Sequence, residues 1–454
     1  MIDVRGKRVL VVGLGKSGVA ALEALLPLGA LCAVQDTKSK DKLEPKLLEL
    51  IEKNKMDCYL GTEPKPSEQF DMIVLSPGVP PELGFIQNAK QTGSEIIGEL
   101  ELAFQISKGK LVAITGTNGK TTTTALVGEI FKNAGKDTYV AGNIGLAVTS
   151  IAHETKDDSW IIAETSSFQL ETIKDFKPDI SAFLNISPDH LDRYGNMPSY
   201  IEAKARIFEN QNENDYFIVN YDDKAIYPLA SKCKAKVVPF SRIAELEFGT
   251  FVKEGQIVVR NEKGALVEIC ATESLLIPGA HNLENALAAT AIAYVAGIPV
   301  SVIAQTLKTF AGVEHRLEFC RELDGVKFVN DSKGTNTDAS LKAIEAVSGS
   351  IILIAGGYDK NSEFEEWIEA FGDKVKHMVL LGDTAEKIKK AAEKKGFHKS
   401  IILKDMEECV KTAFELATPG DTVLLSPACA SWDMYTCFEE RGEHFKSCAM
   451  RLGS

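Results

Sequence analysis

The sequence has no Cys-x-x-Cys pair, no evenly spaced cysteine framework and no apolar run of membrane-spanning length. Its nine cysteines, among them Cys32, Cys58, Cys233 and Cys429, therefore read as reduced thiols rather than as a disulfide scaffold. Positive charge is also short. A net charge of -13 and a pI near 5.2 argue against a nucleic-acid partner, which would demand a basic face. Low-complexity tracts, Pro/Ser-rich linkers and repeats of solenoid period are absent, so the chain is expected to fold throughout. Residues 1–7 run straight into an apolar strand with no secretory apolar region, and the expectation is a cytoplasmic protein without membrane insertion.

What is present is ordinary globular composition, 44% hydrophobic and 25% charged over 454 residues, enough for about three domains. Short apolar strands alternate with segments of helical period, which implies an α/β chain with parallel sheets. Strands are expected at 7–12, 31–35 and 70–75, with a helix over 19–28. The pattern restarts with a strand at 110–115, followed by strands at 160–163, 180–184 and 216–220, a polar β-like stretch at 251–269 and a helix over 282–296. It restarts again with strands at 327–330, 351–357, 377–381 and 422–426. The boundaries fall at 1–97, 98–311 and 312–454. The fold class is thus a Rossmann-like parallel sheet, a central P-loop NTPase-like α/β domain and a Rossmann-like C-terminal α/β domain.

The chemistry gathers at strand ends. Gly116, Thr117, Asn118, Gly119, Lys120, Thr121 and Thr122 follow a strand and open a helix. Glycine amides can cradle phosphate, one Lys can reach it, and a Thr hydroxyl can face Mg²⁺. Two residues rather than four separate the glycines, so the usual loop is shortened. Glu164 to Gln169 and Ser187 to Asp192, with His190, end two further strands, where a carboxylate and an imidazole can hold a divalent metal. Gly13, Gly15 and Gly18 with Asp36 form a dinucleotide-type fingerprint, which leaves a nicotinamide, a flavin or another nucleotide diphosphate open. Ser76, Pro77 and Gly78 end a later strand of the same sheet. Lys204 reads by composition as a surface Lys, and Cys429 as a buried thiol rather than a nucleophile.

Taken in order, residues 116–122, 164–169, His190, Lys204, His281-Asn282-x-x-Asn285 and Asp331-Ser332-Lys333 make the chain resemble the Mur ligases over all three domains. Within that family it is most similar to the ligases that add D-glutamate to UDP-N-acetylmuramoyl-L-alanine. The marks of this group are residues 13–18 and 76–78, Gly356-Gly357-x-Asp359-Lys360, and above all residues 426–431 with 438–442.

The resemblance implies an ATP-dependent amide ligase of peptidoglycan precursor synthesis that works through an acyl phosphate and releases ADP and phosphate. Lys120, His190 and Lys204, the last carbamylated, would be catalytic. ATP would meet residues 116–122, Asn282, Asn285, Arg316 and Asp331. Two Mg²⁺ ions would use Thr121, Glu164, His190 and Lys204. The UDP-substrate would meet Gly15, Lys16, Ser17, Asp36, Thr37, Ser76, Pro77, Gly78, Asn143, Ser166 and Gln169. D-Glutamate would meet Lys333, Thr335, Lys360, Ser431 and Phe438. Lys38 stands where the family pattern often has Arg. The partners are then small molecules, and a monomer is expected. Another Mur ligase, a folylpolyglutamate synthetase, a nicotinamide oxidoreductase built on residues 13–18 and a non-catalytic regulator remain the alternatives.

Overall fold

Continuous runs of Val, Ile and Leu bury on both faces and so make inner parallel strands. In the computed structural model, which describes residues 2–360 and 362–453, they build three sheets. The first contains β1 (Arg8–Val12), β2 (Leu31–Asp36), β3 (Asp57–Leu60), β4 (Met72–Leu75) and β5 (Glu95–Gly98). Its order is β3-β2-β1-β4-β5 and every pair is parallel. The strand order reverses between β1 and β4, which opens a crevice at their C-terminal ends.

The second sheet holds β6 (Lys110–Thr115), β7 (Thr138–Gly142), β8 (Trp160–Glu164), β9 (Ile180–Phe183), β10 (Tyr216–Asn220), β11 (Lys236–Ser241), β12 (Gly249–Lys253), β13 (Gln256–Arg260) and β14 (Leu266–Ala271). The order is β14-β13-β12-β11-β10-β9-β6-β8-β7, and only β12 to β14 pair antiparallel. The polar stretch at 251–269 thus becomes a meander on one edge. The third sheet, of β15 (Glu318–Leu323), β16 (Val326–Asn330), β17 (Ile351–Ala355), β18 (Val375–Leu380), β19 (Ser400–Ile402) and β20 (Thr422–Leu425), runs β15-β16-β20-β17-β18-β19. Only β15 is antiparallel.

The chain forms two compact units. One takes the residues up to Thr272 together with Asn285–Leu307, and the other takes Glu273–Glu284 and the residues from Lys308 onward. Inside the first unit the helix Glu99–Ile106 serves two cores: Leu102 and Ile106 pack with the first sheet, Leu100 and Ala103 with the second. Glu101, fully buried, fixes this helix. Its carboxylate accepts the backbone N–H groups of Lys174 (2.7 Å), Asp175 (3.1 Å) and Phe176 (2.9 Å). Just before the helix, a Cβ on Gly98 would lie 2.1 Å from the Thr172 hydroxyl, so only glycine allows the approach. Among the described residues no helix is long and apolar enough to cross a membrane.

Candidate functional site

In the second sheet β6 lies between β9 and β8, so the segments that leave these three strands meet at one edge. The loop after β6 turns into the helix Lys120–Asn133 through Gly119, whose φ is +82. Segment 185–187, leaving β9, pins this loop. Asn185 accepts the Asn118 N–H (2.9 Å), donates its own amide to the Asn118 carbonyl (3.0 Å), and accepts the Thr117 N–H at its backbone carbonyl (3.0 Å). The Thr117 hydroxyl exchanges hydrogen bonds with the Ser187 backbone, donating at 3.2 Å and accepting at 3.0 Å. Asn285 stands against Gly119 and accepts from the Thr123 hydroxyl at 3.3 Å. The Thr122 hydroxyl is buried with no hydrogen-bond partner.

Two lysines converge on one carbonyl of this loop. Lys120 Nζ donates to Gly116 O (2.9 Å) and Thr117 O (2.8 Å), and Lys204 Nζ donates to Gly116 O at 2.9 Å. Lys204 belongs to the helix Met197–Ala205 and is 2% exposed, not the surface residue that composition suggests. Burial, then repulsion from Lys120, push its amine well below the usual ammonium range. Its Nζ lies over the Tyr200 ring, 4.8 Å from the ring centre.

The end of β8 supplies the facing carboxylate. Glu164, buried, accepts from the Thr121 hydroxyl at 2.7 Å through Oε2 and from the Asn143 amide at 3.1 Å through Oε1. Ser166 and Gln169 close a capping box at the start of the helix Ser167–Leu170. His190 takes a left-handed backbone with φ +53, and its Nε2 stands 3.7 Å from Asp189 Oδ2. Its ring packs on Phe168 (4.8 Å between centres), itself covered by the Arg193 guanidinium, which pairs with Glu171. Among the described residues no group of three or more His, Cys, Asp and Glu side chains is arranged to hold a metal ion.

In the first sheet, the loop after β1 is held from within. Both Asp36 oxygens accept backbone N–H groups, of Leu14 (2.6 Å) and Lys38 (2.8 Å), and Ser76 donates to Gly13 O at 2.7 Å. Asp36 is thus occupied with shaping the turn. Glycine is demanded at two places there: a Cβ on Gly18 would sit 1.8 Å from Gly13 O, and Gly13 itself has φ +84. Gly15 and Lys16 open into a cavity of about 640 Å³ that also takes Lys38, Lys42 and Lys46, with Gly145 to Ala147 forming another part of its wall. Ser17 is half-buried and Thr37 exposed, while Ser76, Pro77 and Gly78 border the β4 end of the crevice.

The second unit has its own cluster at the ends of β16, β17 and β20. Asp331 is 2% exposed and accepts from Ser426 Oγ (2.8 Å) and the Leu317 N–H (3.3 Å). Burial pushes its carboxyl up to about 6, against the pull of Arg316. Arg441, buried, donates to Ser332 Oγ and O, Cys429 O and Ala430 O, and so ties the loops after β16 and β20 together. Around them Lys333 Nζ lies 5.2 Å from the Phe438 ring centre, and Lys360 Nζ 5.2 Å from that of Trp432. Thr335 donates its N–H to Lys333 O (2.8 Å), and Ser431 is buried. Asn282 donates to Pro278 O at 2.7 Å. Burial and Arg316 push its neighbour His281 down to about 4. Cys429 is buried, and burial pushes its thiol up to about 11, which disfavours the thiolate that a nucleophile needs.

Three Mur ligase domain profiles match the chain in order: the Mur ligase MurD-like N-terminal domain over residues 7–98, the Mur ligase middle domain over 114–293, and the Mur ligase glutamate ligase domain over 315–429. The chain is also 51% identical over 454 residues to the UDP-N-acetylmuramoylalanine--D-glutamate ligase of Thermoanaerobacter sp. (strain X514), covering 99% of this chain and 100% of that one. The chain belongs to the Mur ligase family. A ligase of the same name from Clostridioides difficile (strain 630) is 50% identical over 446 residues, with 98% of each chain covered. Two solved Mur ligases from Thermotoga maritima share the fold. The UDP-N-acetylmuramate-alanine ligase MurC superposes with a TM-score of 0.61 at 18% identity, over 97% of this chain and 98% of that one. MurF in complex with ADP does so with 0.60 at 18%, over 99% and 96%.

Sequence reasoning gave no role to several residues of these clusters. Asn185 and Tyr200 meet the glycine loop at Asn118 and Thr117, Lys42 and Lys46 line the cavity, and Arg441, read only as part of residues 438–442, ties the second cluster. The signal for Asn185 was its place directly after an apolar strand. For Lys42 and Lys46 it was spacing around a helix start at Pro45, the first residue of Pro45–Lys53.

Proposed function

We propose that this Mur ligase joins D-glutamate to UDP-N-acetylmuramoyl-L-alanine in the cytoplasm, as a monomer, with ATP converted to ADP and phosphate. The observation that carries the reading is the convergence of Lys120, Thr121, Glu164 and the buried Lys204 on one shortened glycine loop, in a chain half identical to ligases of that name. Residues 1–97 take the UDP end, 98–311 take ATP, and 312–454 take D-glutamate.

A carboxylate does not react with an amine until one oxygen becomes a leaving group, so ATP must first phosphorylate the alanyl carboxylate. Lys120 and the amides of residues 116–122 hold the β- and γ-phosphates. Mg²⁺, when bound, neutralises phosphate charge there. The donors fit it: Mg²⁺ takes one or two carboxylates and fills its shell with phosphate and water, so a cage of three or more acidic or imidazole ligands is not needed. Thr121 and Glu164 serve one ion. His190 serves a second, together with Lys204 if its neutral amine has captured CO₂ as a carbamate, since a plain ammonium would repel it.

Asn282 and Asn285 face adenine, and Arg316 with Asp331 the ribose and phosphates. Gly15, Lys16, Ser17, Thr37 and Ser76 to Gly78 take the UDP end, with Asp36 acting through the turn that it holds. Asn143, Ser166 and Gln169 face the muramoyl-alanine. Lys333 and Lys360 meet the carboxylates of D-glutamate beside Thr335, Ser431 and Phe438. The test is ADP release from the purified chain with UDP-N-acetylmuramoyl-L-alanine, offered D-glutamate, L-glutamate, L-alanine or diaminopimelate. D-Glutamate alone supports release, and Lys120→Ala lowers it by about a thousandfold. Equal release with L-alanine or diaminopimelate defeats the assignment.

A further inference from the structure

One buried carboxyl serves neither the loop nor the metal. Glu99, 1% exposed, begins the helix that follows β5. Its Oε1 accepts both the backbone N–H (2.8 Å) and the hydroxyl (2.7 Å) of Thr149, while its Oε2 has no hydrogen-bond partner. The Gln169 amide faces this carboxyl and favours its charged form, against the larger opposing effect of burial, without closing a hydrogen bond to Oε2. A carboxyl group with one oxygen buried and unpartnered costs stability, so its presence calls for another role.

Its two neighbours lead to two parts of the substrate site. Thr149 ends the segment that begins at Asn143. The Asn143 end is fixed by the Glu164 carboxylate (3.1 Å), and the middle, Gly145 to Ala147, walls the lysine-lined cavity. Gln169 is held on its other side, where Oε1 accepts the N–H (2.9 Å) and the hydroxyl (3.1 Å) of Ser166, so its NH₂ is directed toward Glu99. The carboxyl therefore stands behind both the 143–149 segment and the Gln169 amide.

We infer that Glu99 is a positioning residue for the nucleotide-sugar substrate: through Thr149 it sets the wall formed by residues 143–149, and through its facing oxygen it sets which end of the Gln169 amide meets the substrate. The inference rests on the function proposed above. Glu99→Gln keeps the shape and the acceptor for Thr149 but turns an NH₂ toward the Gln169 NH₂. Two donors then oppose each other, and Gln169 must rotate at the expense of its bonds to Ser166.

The experiment measures kcat and KM for each of the three substrates, with thermal unfolding, for the parent chain, Glu99→Gln and Thr149→Val. The expected result is a KM for UDP-N-acetylmuramoyl-L-alanine raised by about fivefold or more in Glu99→Gln, and by less in Thr149→Val. The KM values for ATP and D-glutamate stay within about twofold and the unfolding midpoint barely moves. Unchanged KM values in a folded Glu99→Gln overturn the inference. So does a parallel loss in all three KM values with a lowered midpoint, which is the mark of a merely structural carboxyl. A parent chain that fails to turn over removes the functional reading and this inference together, whereas an active parent with unaffected variants removes the inference alone.

Discussion

At the scale of single residues, burial decides what each charge can do. Lys204 is held against Gly116 O with its amine pushed below the ammonium range by burial and by Lys120. A neutral amine is the form that adds CO₂, so Lys204→Ala is expected to lose activity by about a hundredfold or more and to recover part of it when a short carboxylate is added to the assay. Undiminished turnover would remove the carbamate. Asp331 gives a pH signature with the opposite sign from an ordinary paired carboxylate. Its folded pKa of about 6 lies above the unfolded value of about 3.9, so the neutral form is favoured by folding. That advantage is full below about pH 4 and is lost as pH rises through about 6. The parent chain should lose roughly 3 kcal/mol across this window that Asp331→Asn does not lose. Urea unfolding of both proteins at the two ends of the window checks it. The turn from β6 into the helix at Lys120 was legible because Gly, Lys and Thr at that spacing between a strand and a helix have few other uses. Asn185 was not, since a lone Asn after a strand is ordinary and its bidentate grip on Asn118 exists only once β9 lies beside β6.

At the scale of elements, legibility followed burial. Strands with long apolar runs, such as β6, β10 and β17, stand within a residue or two of their expected ends. The strands that escaped are mostly short edges or polar pieces: β3 with Asp-Cys-Tyr-Leu, β5 with Glu-Ile-Ile-Gly, β15 with Glu-Phe-Cys-Arg-Glu-Leu. Their register comes from a neighbouring strand and not from their own pattern. The helix Glu99–Ile106 shows the same limit, since nothing in its sequence says that Glu101 faces inward to three backbone amides. Removing that carboxylate strands three backbone donors, that of Phe176 fully buried. Glu101→Ala is therefore expected to cost about 3 kcal/mol and to lower the unfolding midpoint by several degrees, as calorimetry can measure.

At the scale of the whole molecule, a chain of net charge -13 carries a basic recess. Four lysines, Lys16, Lys38, Lys42 and Lys46, line the cavity against Glu23 and Glu44. An anionic substrate meets general repulsion at a distance and local attraction at the recess, and salt screens both. With the recess taking the UDP end as proposed, attraction dominates there, and the KM for the UDP-substrate should rise by about threefold between low and high ionic strength. Lys42→Ala and Lys46→Ala should each raise that KM and flatten its dependence on salt. A KM indifferent to salt in the parent chain would remove the recess from the UDP end.

The crowding at Gly13 and Gly18 bears on how this recess would respond to selection by an inhibitor. A side chain at position 18 would drive its Cβ into the Gly13 carbonyl, and position 13 holds a left-handed φ, so neither can change without losing the turn. A compound that takes its contacts from the backbone of this turn would therefore leave the chain few routes of escape by substitution, whereas one that relies on the exposed lysines would leave it several.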